Sequence, residues 1–161
     1  MKNTNALNSA TYILAESSRL VREDFRRRAQ HMSLTQPQWR TLLILSRAPG
    51  INQACLASHL EVSPVTVTQS VDRLVKAGLV LRERPENDRR SLNLFLTDSA
   101  QPLLAELNII AEQTREAALA GFNAAERKQL ELMLLRVKQN LSDSAAAMDA
   151  ALQAVSEEKL A

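Results

Sequence analysis

Three glycines in 161 residues constrain this chain more than any other feature. Glycine supplies the positive-φ turns on which hairpin-rich folds depend. A chain with so few is poorly supplied for the many tight turns of a β-sandwich or barrel. Aromatic residues, at 3%, are just as scarce, although sheets favour them. Ala, Leu, Glu, Arg and Gln are abundant instead, and these residues lose least in a helix. Gly50, Gly78 and Gly121 all fall where the apolar periodicity breaks. The chain therefore reads as mostly helical, with a few well-marked stops.

The length corresponds to about one domain. With 45% apolar and 24% charged residues, the composition is that of a folded globular chain. Apolar runs such as Leu42–Leu45 are far shorter than the roughly 18 residues a membrane span needs. The start, Met1-Lys2-Asn3-Thr4-Asn5, lacks the apolar core of a signal peptide, so a cytoplasmic location and no membrane partner are expected. The single cysteine, Cys55, cannot form an internal disulfide, and with only two histidines a structural zinc site is not expected. No cofactor is expected. The net charge of +2 hides an asymmetry: residues 1–98 hold 14 basic and 9 acidic side chains, the remainder 6 and 9. Such a balance can suit an anionic partner, and ordinary surface variation explains it equally well.

Helical spacing of Ile13, Leu14, Leu20, Val21 and Phe25, interleaved with Arg19, Arg22, Arg26, Arg27 and Arg28, predicts one amphipathic helix over residues 8–31. Thr35 is a good N-cap with Pro37 in the first turn, and Trp39, Leu42, Leu43 and Leu45 follow before Pro49-Gly50. Asn52 can cap a short third helix carrying Leu56, Ala57 and Leu60. The sharpest start signal is Ser63-Pro64, where Ser accepts from free backbone N–H groups and Pro occupies a position that needs none. The helix behind it places Val67, Val71, Leu74 and Val75 on one face and stops at Gly78.

The period then changes to two. Residues 79–84 and 92–96 read as two strands, joined by the polar segment Pro85-Glu86-Asn87-Asp88-Arg89-Arg90 as a charged hairpin tip. Thr97-Asp98 opens another long helix, with Leu103, Leu107, Ile110, Ala111, Thr114 and Ala118 on one face. Pro102 falls too deep for a free first turn, so a kink or weak hydrogen bond is expected there. After Gly121 the pattern restarts at Ala124 or Ala125, and Leu130, Leu134, Val137, Leu141, Met148, Leu152 and Val155 step by three and four. No 20–50-residue repeat is present.

Four helices, a hairpin and two more helices make a mainly α fold. Residues 35–97 form a compact winged helix-turn-helix, and 8–31 and 98–155 supply long flanking dimerisation helices within one chain. Those flanking helices carry more apolar stripe than the small lobe can cover, and a symmetric dimer is the simplest way to bury it.

A helix-turn-helix works by offering a helix N-terminus to the major groove. Beyond Ser63, the outer face of this helix is Pro64, Val65, Thr66, Thr68 and Gln69. Small and polar groups there permit close approach; Gln69 can pair with adenine, and Thr or Val methyls can touch a thymine methyl. Ser63 sits at the positive end of the helix dipole, where a phosphate is favoured. The plain alternative is a capped helix with a solvated face. Arg73 serves either a phosphate contact or an internal ion pair with Asp72. In the hairpin tip, Arg89 and Arg90 suit a narrow minor groove, with Asp88 pinning one arginine or closing the turn. Taken alone, a basic tip is equally an ordinary solubilising loop.

The run Val71-Asp72-Arg73-Leu74-Val75-Lys76-Ala77-Gly78-Leu79-Val80, continuing through Asp88-Arg89-Arg90-Ser91 to Leu94-Phe95-Leu96-Thr97, resembles the MarR family of bacterial transcriptional regulators. Leu34-Thr35-Gln36-Pro37-Gln38-Trp39 and Leu56-Ala57-Ser58-His59-Leu60 match at the right distances upstream. The resemblance covers about residues 10–145, with the SlyA-like branch nearest. It implies a homodimer clamped by its terminal helices, with the Ser63 helix in the major groove of a pseudo-palindromic operator. It implies Arg89 or Arg90 in the minor groove, with Asp88 bracing the wing. It also implies a pocket between dimerisation helices and DNA-binding lobe, where small, often aromatic, anions loosen DNA binding as effectors of a repressor. Arg26, His31, Trp39 and Arg40 are the candidates near such a pocket, although the commoner reading of Trp39 is simple core and that of His31 a solvated terminus. The family's peroxide sensors carry a reactive cysteine near the N-terminal helix. Residues 1–54 contain none, and Cys55 beside Leu56 and Ala57 reads as an inert, partly buried thiol.

An enzyme is not expected. The chain has no Gly-rich phosphate loop, no His-Glu-x-x-His and no Gly-x-Ser-x-Gly. A winged helix used only for protein association is the other alternative. It would leave the Ser63 helix face and the Arg89-Arg90 pair without work.

Overall fold

The computed structural model describes residues 9–84 and 92–158. The chain divides into two compact units, Met1–Ala118 and Leu119–Ala161. The first contains α1 (Ala10–Arg28), α2 (Gln36–Arg47), α3 (Gln53–Leu60), α4 (Pro64–Lys76), strands β1 (Val80–Glu83) and β2 (Asn93–Leu96), and α5 (Gln101–Ala118). The second contains α6 (Ala124–Glu158). The architecture is mainly α with a small antiparallel hairpin, as the sequence predicts. The expected hairpin tip, with Asp88, Arg89 and Arg90, lies outside the described residues.

Local chemistry sets most boundaries. Ser9 caps α1, its hydroxyl accepting from the Tyr12 N–H at 3.2 Å. At α2 the Thr35 N–H and hydroxyl both donate to Gln38 Oε1 at 2.8 Å. Asn52 Oδ1 accepts from the Cys55 N–H at 2.8 Å to start α3. Asn123 and Glu126 exchange backbone and side-chain bonds at the start of α6, with the Asn123 N–H donating to Glu126 Oε2 at 2.8 Å and the Glu126 N–H to Asn123 Oδ1 at 3.0 Å. This reciprocal cap fixes the restart that the sequence reading placed at Ala124 or Ala125.

Pro102 causes no mid-helix conflict. A short 3-10 turn, Asp98–Ala100, precedes α5, which itself begins at Gln101. Pro102 thus falls in the first turn of α5, where no intrahelical N–H is required. One helix expected from residue 98 is in fact two segments.

The core of the first unit is continuous. Leu42 and Leu45 of α2, Leu56 and Leu60 of α3, Val67, Val71 and Leu74 of α4, Leu94 of β2 and Leu107 of α5 are all essentially inaccessible. Phe25 of α1 meets Trp39 with ring centroids 4.3 Å apart, tilted by 33°, a favourable aromatic arrangement. The inner face of α5 is Leu104, Leu107, Ile110 and Thr114, all buried. Thus α5 spends its apolar face within this unit, contrary to the expectation that its stripe stays bare. On α1 only Phe25 is buried, and Ile13, Leu20 and Val21 remain exposed.

In the hairpin Val80 opposes Leu96, Leu81 opposes Phe95, Arg82 opposes Leu94 and Glu83 opposes Asn93. The strands are each trimmed relative to 79–84 and 92–96. The turn after α2 is tied to β2: the Gly50 N–H donates to Leu94 O at 2.9 Å, the Leu94 N–H to Ile51 O at 3.0 Å, and Asn52 forms an isolated bridge with Asn93. Gly50 is required there. Its φ is +82°, and a Cβ would lie 3.1 Å from the Phe95 ring.

Candidate nucleic-acid interface

α4 has one buried and one open face. Val67, Ser70, Val71 and Leu74 are buried, while Pro64, Val65, Thr68, Gln69 and Arg73 are exposed and Thr66 is half-buried. Val65 is 65% exposed at the very start of the helix.

Ser63 is the N-cap and Pro64 the first helical residue. Ser63 Oγ accepts from the Thr66 N–H at 3.2 Å and lies 3.0 Å from Thr66 Oγ1. The Thr68 hydroxyl donates back to Pro64 O at 3.0 Å. The Ser63 and Thr66 hydroxyls are thereby oriented on the first turn, with that of Thr68 just behind it. No acidic residue lies in that turn, so the positive end of the helix dipole is not neutralised by its own side chains. Such a face can receive a phosphate and present methyl and amide groups to base edges.

The turn into α4 is held from outside. Arg40, on α2, donates from Nη1 to Leu60 O at 2.8 Å and from Nη2 to His59 O at 3.0 Å. These are carbonyls of the last turn of α3, where a cation is favoured. The next residue, Glu61, adopts left-handed backbone geometry with φ 57° and ψ 41°.

Asp72 does not pair with its neighbour Arg73. Its Oδ1 accepts from Arg82 Nη2 at 2.6 Å, linking α4 to β1. That leaves Arg73 exposed on the open side of α4. Sequence reading missed Arg82, because the pair spans a turn and no local spacing announces it.

Each of the four effector candidates is engaged with a partner of its own. Trp39 is core, 5% exposed against Phe25. The guanidinium of Arg40 is engaged on α3 as described. Arg26 sits on the outside of α1 paired to Glu23 at 2.6 Å, and that hydrogen-bonded carboxylate raises the arginine's pKa while the arginine lowers that of Glu23. His31 ends a 3-10 turn, with Nε2 2.6 Å from Glu106 Oε1 of α5. Clefts open elsewhere on this unit. One of about 340 Å³ lies among Leu45, Pro49, Phe95, Leu96, Gln101 and Leu104. One of about 220 Å³ lies among Leu20, Val21, Asp24, Arg27 and Thr114. Neither is lined by any of the four candidates.

Cys55 is exposed, not partly buried as its apolar neighbours imply. The eight-residue α3 turns Leu56 and Leu60 inward, and a helix with that inner face puts residue 55 outside. Among the described residues no group of three or more His, Cys, Asp and Glu side chains is placed to hold a metal ion, and no helix is long and apolar enough to cross a membrane.

Residues 34–92, from the approach to α2 through the hairpin, match the MarR family model. Over 84% of its length the chain superposes on 99% of the transcriptional regulator PA3341, at 33% identity and a TM-score of 0.75. The chain belongs to the MarR family. A MarR regulator from Methanosarcina mazei Go1 matches at 25% identity, covering 82% of this chain and 96% of that one, with a TM-score of 0.69. The Mycobacterium tuberculosis MarR family protein RV2887, solved in complex with salicylic acid, matches at 26% identity over 80% of this chain and 96% of its own, with a TM-score of 0.67. The same fold recurs in a Listeria monocytogenes family member complexed with 26mer DNA, at 24% identity over 84% of this chain and 91% of that one, with a TM-score of 0.73. The winged helix-turn-helix fold and the MarR family are those of transcriptional regulators, which are not enzymes.

Proposed function

We propose that this MarR-family chain acts in the cytoplasm as a symmetric homodimer that binds a pseudo-palindromic operator and represses transcription until a small aromatic acid releases it. The observation that carries the reading is the open, acid-free first turn of α4, with Ser63, Pro64, Val65, Thr66, Thr68 and Gln69 around one exposed face. Gln69 and the methyls of Val65, Thr66 and Thr68 read bases, Ser63 and Arg73 hold phosphates, and Arg89 or Arg90, with Asp88 bracing the tip, enters the minor groove.

Dimerisation is supported by bare apolar surface. Tyr12, Ile13, Leu20 and Val21 on α1 and Leu132, Met133, Leu134, Leu135, Leu141 and Met148 on α6 are exposed. Two-fold symmetry then sets the operator: two equal reading helices require half-sites about 10 bp apart.

An aromatic acid is supported by the salicylic acid complex of RV2887. His31 and Arg26 are the two candidates with exposed side chains, and such an anion would compete there with the carboxylates of Glu106 and Glu23. A ligand of this kind works by favouring a helix spacing that does not fit the groove.

Titration of the purified protein with duplex DNA at two salt concentrations tests the reading. Affinity that drops steeply as salt rises is expected, since each phosphate contact releases counterions. A flat response, or no duplex bound at low salt, refutes DNA binding and leaves the winged helix as a protein-association module.

A further inference from the structure

We propose that Asp72 and Arg82 form a brace that fixes the hairpin against the reading helix, making Arg82 a positioning residue for sequence-specific DNA binding. The proposal rests on the DNA-binding reading above.

Strand geometry puts Arg82 where an aliphatic residue is the ordinary choice. Side chains alternate along β1, so Arg82 shares a face with Val80, which is buried, and stands opposite Leu94, which is fully inaccessible. Its side chain is 26% exposed and reaches α4, where Nη2 meets Asp72 at 2.6 Å. Its Nε is buried with no hydrogen-bond partner. An unmet buried donor costs free energy, and half-buried ion pairs add little to stability once desolvation is counted. With both costs against it, the pair contributes through geometry more than through stability.

The geometry is specific. Apolar contacts between α4 and β1 tolerate sliding, because they have no direction. A charge-assisted bond of 2.6 Å does not. It ties the middle of α4 to the third residue of β1, across the turn at Gly78. The base-reading helix and the strand leading to the hairpin tip therefore approach DNA as one rigid frame. Arg82 is occupied by Asp72, and Arg73, beside it, is left pointing outward.

The test uses the full chain and duplexes selected by the wild-type protein from a random-sequence pool, with a scrambled duplex alongside. Affinities are measured for wild type, D72A, R82M, the double variant and R82K, with thermal melts of each. D72A and R82M should each weaken binding to the selected duplex about tenfold, and the double variant no more than the worse single, as for any coupled pair. R82K should recover most of the loss, and the scrambled duplex should bind nearly as before. Single variants within about twofold of wild type overturn the brace. So do losses that multiply in the double variant, or equal losses on both duplexes, which mark a plain phosphate contact. If R82M melts out, D72A and R82K decide between the same outcomes. Failure of the wild type itself to select any duplex instead refutes the DNA-binding reading, and the brace with it.

Discussion

Glu61 is the one described non-glycine residue with positive φ, at 57°, and it occupies the turn on which α3 and α4 pivot. A side chain in this region costs about 1 kcal/mol because Cβ crowds the following carbonyl. Glu61→Gly should therefore raise the melting temperature by a few degrees, about 2–4 °C for a chain of this size, and a melt that falls shows the glutamate to be stabilising. Asp24 offers a second test at this scale. Arg28, hydrogen-bonded to it at 2.6 Å, holds its carboxyl below the usual aspartate value. A lowered folded pKa contributes stability that is full above the unfolded value, about 3.9, and vanishes as pH falls through the folded one. Asp24→Asn should melt below wild type at pH 6, and the gap should close below about pH 4. A gap independent of pH contradicts the ion-pair account. Such single-residue effects were only partly legible in the sequence. Ser63 was readable because a cap acts on its own first turn, whereas Glu61 carries no compositional mark of its backbone, and the exposure of Cys55 follows from which way α3 rolls.

Between elements, the decisive contacts join residues that local reading treats separately. Arg40 was a candidate for an effector pocket, and the structure shows its guanidinium bonded to the final carbonyls of α3. Arg40→Met keeps the apolar stem and removes both bonds. It should cost about 2 kcal/mol, the range for hydrogen bonds from a charged donor, read as a lower denaturation midpoint with an unchanged slope. A loss below about 0.5 kcal/mol implies that water replaces the arginine without penalty. Caps at Thr35, Asn52 and Ser63 and the stop at Gly78 were all readable, because each is satisfied within a few residues. The Asn123–Glu126 reciprocal cap is equally local, three residues apart. The tie from 50–52 to β2 leaves no such mark: three residues carry no period, and the bonds they make are to a segment some forty residues away. Pro102 was misplaced for a related reason, since a 3-10 turn and the helix after it share one apolar pattern.

At the scale of the molecule, the bare apolar surface is unevenly distributed. α5 buries its inner face within the first unit, whereas Leu134 and Leu141 of α6 are 41% and 65% exposed. If α6 meets a second copy, the double variant Leu134→Asp, Leu141→Asp should sediment as a monomer where wild type sediments as a dimer, and it should lose specific DNA binding with it. A variant that stays dimeric places the interface elsewhere. Local patterning is enough for the helix order, the hairpin, the starts that rest on caps, the buried stripe of α4 and the family resemblance, because each depends on patterns within a few turns of chain. Packing between distant segments set the rest: Asp72 answers Arg82 and not Arg73, Arg40 bonds to a neighbouring helix end, and α5 buries its own inner face while apolar residues of α1 and of α6 stay exposed. Those outcomes depend on which side chains meet across distant segments, and a partner that comes from another element leaves no periodic trace in either stretch of sequence.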